Sequence, residues 1–296
     1  MKQYLEMIEH VLKNGEFRDD RTGTGTMSVF GYQFRHNLEE GFPLLTTKRV
    51  PFRIVAEELK WFLSGSTNIK PLLDANVHIW DDDAYRWYRA NYGEGAVLTK
   101  EGYIDVIKSE EHPMEIGDLG HVYGHQWRNW NGIDQVTNAI DLIKNNPTSR
   151  RIIVNGWNVG ELHLMALPPC HSMYQFYVSK DRKLSCQMYQ RSADLFLGVP
   201  FNIASYSLLT HIIAEHCNLD VGEIIINFGD MHIYNNLLPQ CLTQLQREPR
   251  PLPELVIRQD LTTLEDISDF NVSSLSVLGY DPHPVIKGKL SVGEGK

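Results

Sequence analysis

Residues 203–214, Ile-Ala-Ser-Tyr-Ser-Leu-Leu-Thr-His-Ile-Ile-Ala, restrict the fold more than any other stretch, because wound as a helix they are apolar nearly all round. A helix of that kind has no side to offer to water, so the rest of the chain must surround it. Asn202, just ahead, is a residue type that caps helix starts by accepting from N–H groups of the first turn. Two strands are predicted before it, over 172–179 and 184–190, joined by a turn at Lys180-Asp181-Arg182-Lys183, and another follows over 224–228. Residues 27–34 alternate as a further strand. Amphipathic spacing predicts helices over 4–12, stopped by Asn14-Gly15, over 52–63, where Phe52, Val55, Ala56, Leu59, Phe62 and Leu63 share a face, and over 134–145. No linker or internal repeat divides the 296 residues, so 1–296 reads as one domain of mixed α and β structure. Within it, 82–116 is aromatic and charged without strong periodicity and reads as an insertion or lid.

The strand pair leading into the central helix also gathers reactive groups. Pro168 and Pro169 stiffen the approach to Cys170 at the head of the first strand, and Arg191 and Ser192 arrive just past the end of the second. An arginine beside a cysteine favours the thiolate, and arginine with serine also makes a phosphate site. Taken alone, Cys170 reads more readily as a small buried hydrophobe, so its neighbours must decide. His171 is not its base, because adjacent residues on a strand point to opposite faces.

Several further groups carry two readings each. Glu58 borders the apolar face of helix 52–63; it is either solvated at the edge or, if buried, an acid or base with a raised pKa. Asp20-Arg21-Thr22-Gly23-Thr24-Gly25-Thr26 is a donor-rich loop without the lysine of a P-loop, and a plain surface turn is the alternative. Arg150 and Arg151 open a predicted strand over 150–154, either as phosphate ligands or as solvated charges. His232 and Tyr234, two apart in an extended segment, point the same way and suit a sugar hydroxyl, or are a half-buried surface pair. His121 and His125 stand four apart, but the glycines around them disfavour a helix and no third ligand is evident, so no metal is expected.

Composition narrows the partners. A net charge of −9 disfavours a general nucleic-acid surface, so any anion must be held by locally gathered arginines. No apolar run approaches the about 20 residues of a membrane span, and Met1-Lys2-Gln3-Tyr4 starts no signal peptide. Cys170, Cys186, Cys217 and Cys241 have no metal-type spacing and no dense disulfide pattern, which suits free thiols in a reducing cytoplasm.

Motifs in order and spacing along nearly the whole chain resemble the thymidylate synthase family. They run from Asp20-Arg21-Thr22-Gly23-Thr24-Gly25-Thr26 through Thr46-Thr47-Lys48, Glu58-Leu59-Lys60-Trp61-Phe62-Leu63, Ile79-Trp80-Asp81 and Val122-Tyr123-Gly124 with Gln126-Trp127-Arg128. They continue with Ser149-Arg150-Arg151, Pro168-Pro169-Cys170-His171, Tyr189-Gln190-Arg191-Ser192, Pro200-Phe201-Asn202-Ile203-Ala204-Ser205-Tyr206 and Gly279-Tyr280-Asp281-Pro282-His283-Pro284. The resemblance implies an α+β fold, a large mixed β-sheet with helices packed on one face, and a homodimer formed through the sheets. It implies a cytoplasmic enzyme using deoxyuridylate (dUMP) and methylenetetrahydrofolate as co-substrates, with no metal. Cys170 then matches the nucleophile that adds to C6 of dUMP, and Glu58, Tyr123, His171 and Asp194 the groups that handle protons and order water. Arg21, Gln190, Arg191, Ser192, Asn202, His232 and Tyr234 match the nucleotide site, joined by Arg150 and Arg151 from the other subunit. Lys48, Trp80, Leu167, Asp194, Gly198 and Phe201 fall where the family holds its folate.

Four departures stand out: His121 replaces a proline, Asn155-Gly156-Trp157-Asn158 replaces Ser-Ala-Trp-Asn or Asn-Ala-Trp-Asn, Leu237 replaces a histidine, and Gly293-Glu294-Gly295-Lys296 extends the usual small apolar end. They bear on the closing step, in which hydride from the folate or water reaches the methylene on C5. Thymidylate with dihydrofolate is the expected product. A dUMP hydroxymethylase is the alternative, and a non-enzymatic nucleotide- or RNA-binding protein on this scaffold is a further one.

Overall fold

The computed structural model describes residues 1–20, 22–95, 97–109 and 116–289. In chain order the elements are α1 (Lys2–Asn14), β1 (Glu16–Arg18), β2 (Thr26–Asn37), α2 (Phe52–Leu63), α3 (Lys70–Asp74), α4 (Asp81–Tyr92), α5 (Lys100–Lys108), α6 (Tyr123–Arg128), α7 (Gln135–Asn145) and β3 (Ile153–Asn155). They continue with β4 (His171–Val178), β5 (Lys183–Asp194), α8 (Gly198–His216), β6 (Asp220–Tyr234), α9 (Leu238–Leu245), β7 (Glu254–Ile257), α10 (Leu264–Ser268) and β8 (Leu275–Leu278).

A six-stranded sheet in the order β1-β2-β6-β5-β4-β3 forms the frame, and β7 and β8 pair separately. The large sheet is mixed: β5 and β6 run parallel and its other neighbours antiparallel. The parallel pair needs a crossover, and α8 supplies it. Leu208, Leu209, Ile212 and Ile213 of α8 are buried, as are Ser205, Ser207 and Thr210 on its remaining sides, so the apolar helix is central as its composition requires. Each such aliphatic side chain contributes about 1.5–3 kcal/mol of burial before conformational entropy is set against it. Residues of alternate parity face α8, among them Leu184, Cys186 and Met188 of β5 and Tyr174 and Phe176 of β4. The opposite face of the sheet carries Gln175, Tyr177, Gln187 and Tyr189 and is open, Tyr177 being 66% exposed.

Helix α2 has the predicted bounds, and α1 and α7 differ from their predicted ends by a residue or two. The strands are longer than periodicity indicates. β5 continues to Asp194, so Arg191 and Ser192 lie inside it and not past its end; the Arg191 N–H donates to the Cys170 carbonyl at 2.8 Å, which prolongs the pairing. β6 likewise runs on through Asp230, His232 and Tyr234. Conversely, Arg150 and Arg151 precede the short β3 and do not belong to it.

Asn202 is the fifth residue of α8, not its cap. The helix starts earlier because Pro200 sits in its first turn, where the missing N–H has no intrahelical use. The Asp194 carboxylate takes over as local acceptor, receiving the N–H groups of Phe196 and Leu197 at 3.0 and 3.1 Å.

The region 82–116 holds α4 and α5, which its weak periodicity did not predict, and residues 96 and 110–115 lie outside the described residues. Aromatic packing supplies the order: Tyr88 stacks on Tyr103 at 4.8 Å and on Tyr85 at 6.2 Å, over buried Ala84, Ile104 and Ile107. Among the described residues no helix is long and apolar enough to cross a membrane.

Candidate active site

Cys170 sits immediately ahead of β4, where three elements meet it. Its backbone N–H donates to the Tyr123 hydroxyl of α6 at 2.8 Å, and its carbonyl accepts from Arg191 of β5. The guanidinium of Arg191 is fixed by the carbonyls of Pro168 and Pro169, at 2.8 and 2.9 Å, and this directs Nη2 to within 3.9 Å of the Cys170 sulfur. The proline pair therefore does more than stiffen the strand. Proline has no N–H of its own, and its carbonyls here turn an arginine toward the thiol. Trp157 covers the other side of that guanidinium, 5.1 Å from ring centre to Cζ. Gly229 makes room for the Arg191 backbone, because a Cβ there would meet the Arg191 carbonyl at 2.9 Å.

His171 turns away from Cys170 into the core, as the alternation of a strand requires. Its Nδ1 is 2.7 Å from the Tyr206 hydroxyl, and its ring stacks on Tyr123 at 4.2 Å. Burial lowers its pKa to about 3, so the imidazole is neutral and acts through hydrogen bonding. Tyr123 is itself buried, which raises its phenol well above the ordinary value, so it remains a neutral hydroxyl beside the cysteine.

Glu58 lies on α2 within this aromatic cluster and accepts a hydrogen bond from Trp80 Nε1 at 2.8 Å. Part of its surface opens to the cleft, but protein encloses the carboxyl itself. Desolvation raises its pKa to about 7, against the lowering effect of the Trp80 bond. The carboxyl is thus not simply solvated at the helix edge, and a carboxyl raised to that range can hold or release a proton near neutrality.

On the α8 side, Gln190 Nε2 donates to Asn202 Oδ1 at 3.1 Å and to the Ser192 carbonyl at 3.1 Å. Gln190 Oε1 is buried with no hydrogen-bond partner among the described residues, an acceptor left for something bound. His232 Nδ1 lies 2.9 Å from Asp230, and its ring meets that of Tyr234 edge-on at 5.1 Å, so the two do share a side of β6. The β5–β6 register sets Ser192 beside Asp230 and Asp194 beside His232.

Asp194 is a second enclosed carboxyl, its pKa raised by desolvation. A Cβ at Gly198 would meet Asp194 Cβ and Asn202 Oδ1 at an ordinary 3.8 Å, so protein packing does not demand a glycine there; its bareness widens the cleft. Trp80 is buried against Tyr123 at 6.0 Å, while Leu167 and Phe201 keep part of their surface open. Lys48 differs from a solvent-facing ligand. Its ammonium donates to the Phe196 carbonyl and lies over that ring at 3.7 Å, and burial lowers its pKa to about 8.

Two predicted groups do not join this cluster in the single chain. Arg150 and Arg151 are exposed beside the β3 edge of the sheet, with no side-chain hydrogen bond or ion pair among the described residues. Arg21 lies outside the described residues, as do 293–296. The loop flanking Arg21 is built around Asp20, whose carboxylate accepts from Thr22 N–H, the Thr22 hydroxyl and Gly25 N–H at 3.0, 2.6 and 2.8 Å. Sequence reading passed over three participants: Trp157, Tyr206 and Asp230. The first two lie in quoted motifs, but only the fold gives them partners.

A profile of the family described as thymidylate synthase matches residues 2–292. A relative named thymidylate synthase from Listeria monocytogenes serovar 1/2a is 50% identical, the alignment covering 99% of this chain and 100% of that protein. One of the same name from Listeria monocytogenes serotype 4a is 49% identical with the same coverage. Likeness of that extent spans nearly the whole chain, and the chain belongs to the thymidylate synthase family.

Proposed function

We propose that the protein catalyses the reductive methylation of dUMP to thymidylate. The observation that carries this reading is the Cys170 thiol held beside the Arg191 guanidinium, with Tyr123 and the neutral-range carboxyl of Glu58 in the same cluster. Cys170 Sγ adds to C6 of the uracil, and the electron pair moves toward C5 and O4. Glu58 supplies a proton toward O4, which makes C5 an enol-type carbon nucleophile. Methylenetetrahydrofolate supplies the one-carbon unit and then the hydride, leaving as dihydrofolate. Tyr123, whose hydroxyl meets the Cys170 backbone, relays the C5 proton, and elimination across C5–C6 releases the sulfur. Asn202, oriented by Gln190, reads the uracil edge, while His232 and Tyr234 meet the deoxyribose. Arg21, Arg191 and Ser192 take the phosphate. The apolar cover of Trp80, Leu167 and Phe201 beside the bare Gly198 suits a flat heteroaromatic ring, with Asp194 as an acceptor at its edge. Lys48, buried as it is, holds the Phe196 turn at the edge of this cover.

Enclosure by Trp80 and Leu167 favours hydride over water at the exocyclic methylene. Incubation with dUMP and methylenetetrahydrofolate is expected to raise the dihydrofolate absorbance and give a methylated nucleotide by mass. A hydroxymethyl nucleotide without dihydrofolate overturns this reading.

The open sheet face, with Tyr177 and Tyr189 exposed, supports a homodimer formed through the sheets, in which Arg150 and Arg151 complete the partner's phosphate site. An Arg150→Ala/Arg151→Ala chain and a Cys170→Ala chain, each inactive alone, are expected to regain activity on mixing, through one competent site per heterodimer. That site takes its cysteine from the first chain and its arginines from the second. Verified heterodimers without activity would reject the shared site. The same reading places the protein in the cytoplasm, and none of the four cysteines is in a disulfide.

A further inference from the structure

His121, His125 and Glu161 converge outside the cluster around Cys170, and nothing in the methylation chemistry employs them. One potential ligand atom from each lies within 4.8 Å of the other two. His121 precedes α6, His125 lies within it, and Glu161 comes from the turn after β3, so two separate segments meet. The two imidazoles stack face to face at 4.0 Å with an interplanar angle of 11°, and His121 Nδ1 is 3.1 Å from Glu161 Oε2.

The surroundings hold these groups in place. Gly120, at φ +72°, passes so close to the facing segment 162–165 that a Cβ would fall 1.9 Å from the Leu164 carbonyl; only glycine allows the bend that brings His121 over the turn. His121 N–H donates to the Leu164 carbonyl at 3.0 Å. Gln126 Nε2 donates to Glu161 Oε2 at 2.7 Å and to the His121 carbonyl at 3.0 Å, while its Oε1 accepts from Asn158 at 3.2 Å. A carboxylate oriented by an amide, next to two imidazoles, is the ligand set and supporting shell of a transition-metal site.

We propose that His121, His125 and Glu161 bind one divalent transition-metal ion, with zinc the best fit, leaving a fourth position to water. Two imidazoles and one carboxylate are a zinc set with an open position. A tetrahedral zinc with bonds of about 2.0–2.2 Å spaces its ligands roughly 3.3 Å apart, so the stacked rings need to splay and the three atoms to draw in by about 1.5 Å at most. All three side chains are partly exposed, which leaves an entry path and room for the water. Coordination replaces the His121–Glu161 hydrogen bond, each neutral imidazole binding through the nitrogen that carries no proton. The ion then pins the start of α6, which carries Tyr123, to the turn that leads to Leu167 and Cys170. The third ligand is 40 residues from His121, which is why spacing alone did not reveal it.

Cobalt(II) is the spectroscopic probe, used with the untagged full-length chain carrying Cys170→Ser so that the active-site thiol does not compete. One equivalent per chain is expected, with visible ligand-field bands of low-coordinate geometry and no thiolate charge-transfer band, and zinc is expected to displace it. His121→Ala, which keeps the backbone N–H bonded to the Leu164 carbonyl, is expected to abolish the bands; Glu161→Gln is expected to weaken affinity by at least about tenfold. Absence of saturable cobalt binding, or binding unchanged by His121→Ala, overturns the proposal. The readout does not depend on turnover, so its failure leaves the methylation reading untouched.

Discussion

Cys170→Ala is expected to lower kcat by on the order of 10⁴-fold or more, because every later step depends on the bond from sulfur to C6. The fold should survive. Cys170 is only partly buried, its backbone bonds to Tyr123 and Arg191 do not involve the side chain, and a single lost sulfur costs about 1 kcal/mol. The other cysteines cannot substitute. Burial raises Cys186 and Cys241 to about 12 and Cys217 to about 11, so at neutral pH they are almost wholly thiols. Intact-mass spectra with fluorodeoxyuridylate and methylenetetrahydrofolate are therefore expected to show one ternary adduct per occupied site, mapping to Cys170 and absent in Cys170→Ala. An adduct on Cys186, or turnover without Cys170, would sink the assignment.

What sequence alone made legible follows from which forces act locally. The bounds of α2 could be read because Val55, Ala56, Leu59, Phe62 and Leu63 bury one face, and α8 because it is apolar all round. The start of α8 was hidden behind Gly198 and Pro200, residues that usually break helices but are tolerated in a first turn. Gly229 and Asp230 interrupt the apolar run of β6 in the sequence, although the ladder to β2 continues through Asp230 to Tyr234 and that to β5 as far as His232. α4 and α5 escaped notice because tyrosine stacking, more than aliphatic spacing, orders them. In the cleft, the residue types were visible but not their environments. No local rule says that Glu58 is enclosed, that Lys48 is turned inward onto Phe196, or that prolyl carbonyls aim Arg191 at a sulfur. Those are consequences of elements far apart in sequence. Arg150 and Arg151 show the same limit one level higher, since the single chain leaves both exposed and the site proposed for them needs a second copy.

Glu58→Gln is expected to trade stability against rate, with a pH dependence that identifies the cause. With its folded pKa at about 7 against an ordinary 4.5, the folded protein keeps a proton that the unfolded chain gives up. Below pH 4.5 both states hold that proton, and the buried carboxyl carries no charge penalty. Between 4.5 and 7 ionisation increasingly favours the unfolded chain, and above 7 the penalty levels off. At about 1.4 kcal/mol per pKa unit its ceiling is roughly 3 kcal/mol, lessened by the part of Glu58 that faces the cleft. Glutamine never ionises, so the stability gap between variant and wild type in urea should widen from near zero at pH 4 to about 1–3 kcal/mol at pH 8. Activity moves the other way. Loss of the proton donor to O4 should lower kcat by about 10²- to 10⁴-fold and remove a limb near pH 7, falling toward high pH, from the kcat/KM profile. Trp80→Phe distinguishes this from a general loosening of the cleft. The Trp80 N–H bond lowers the Glu58 pKa, so its removal should shift the limb to higher pH without erasing it. A limb that persists in Glu58→Gln, or a variant no more stable than wild type at pH 8, would assign the proton to another group.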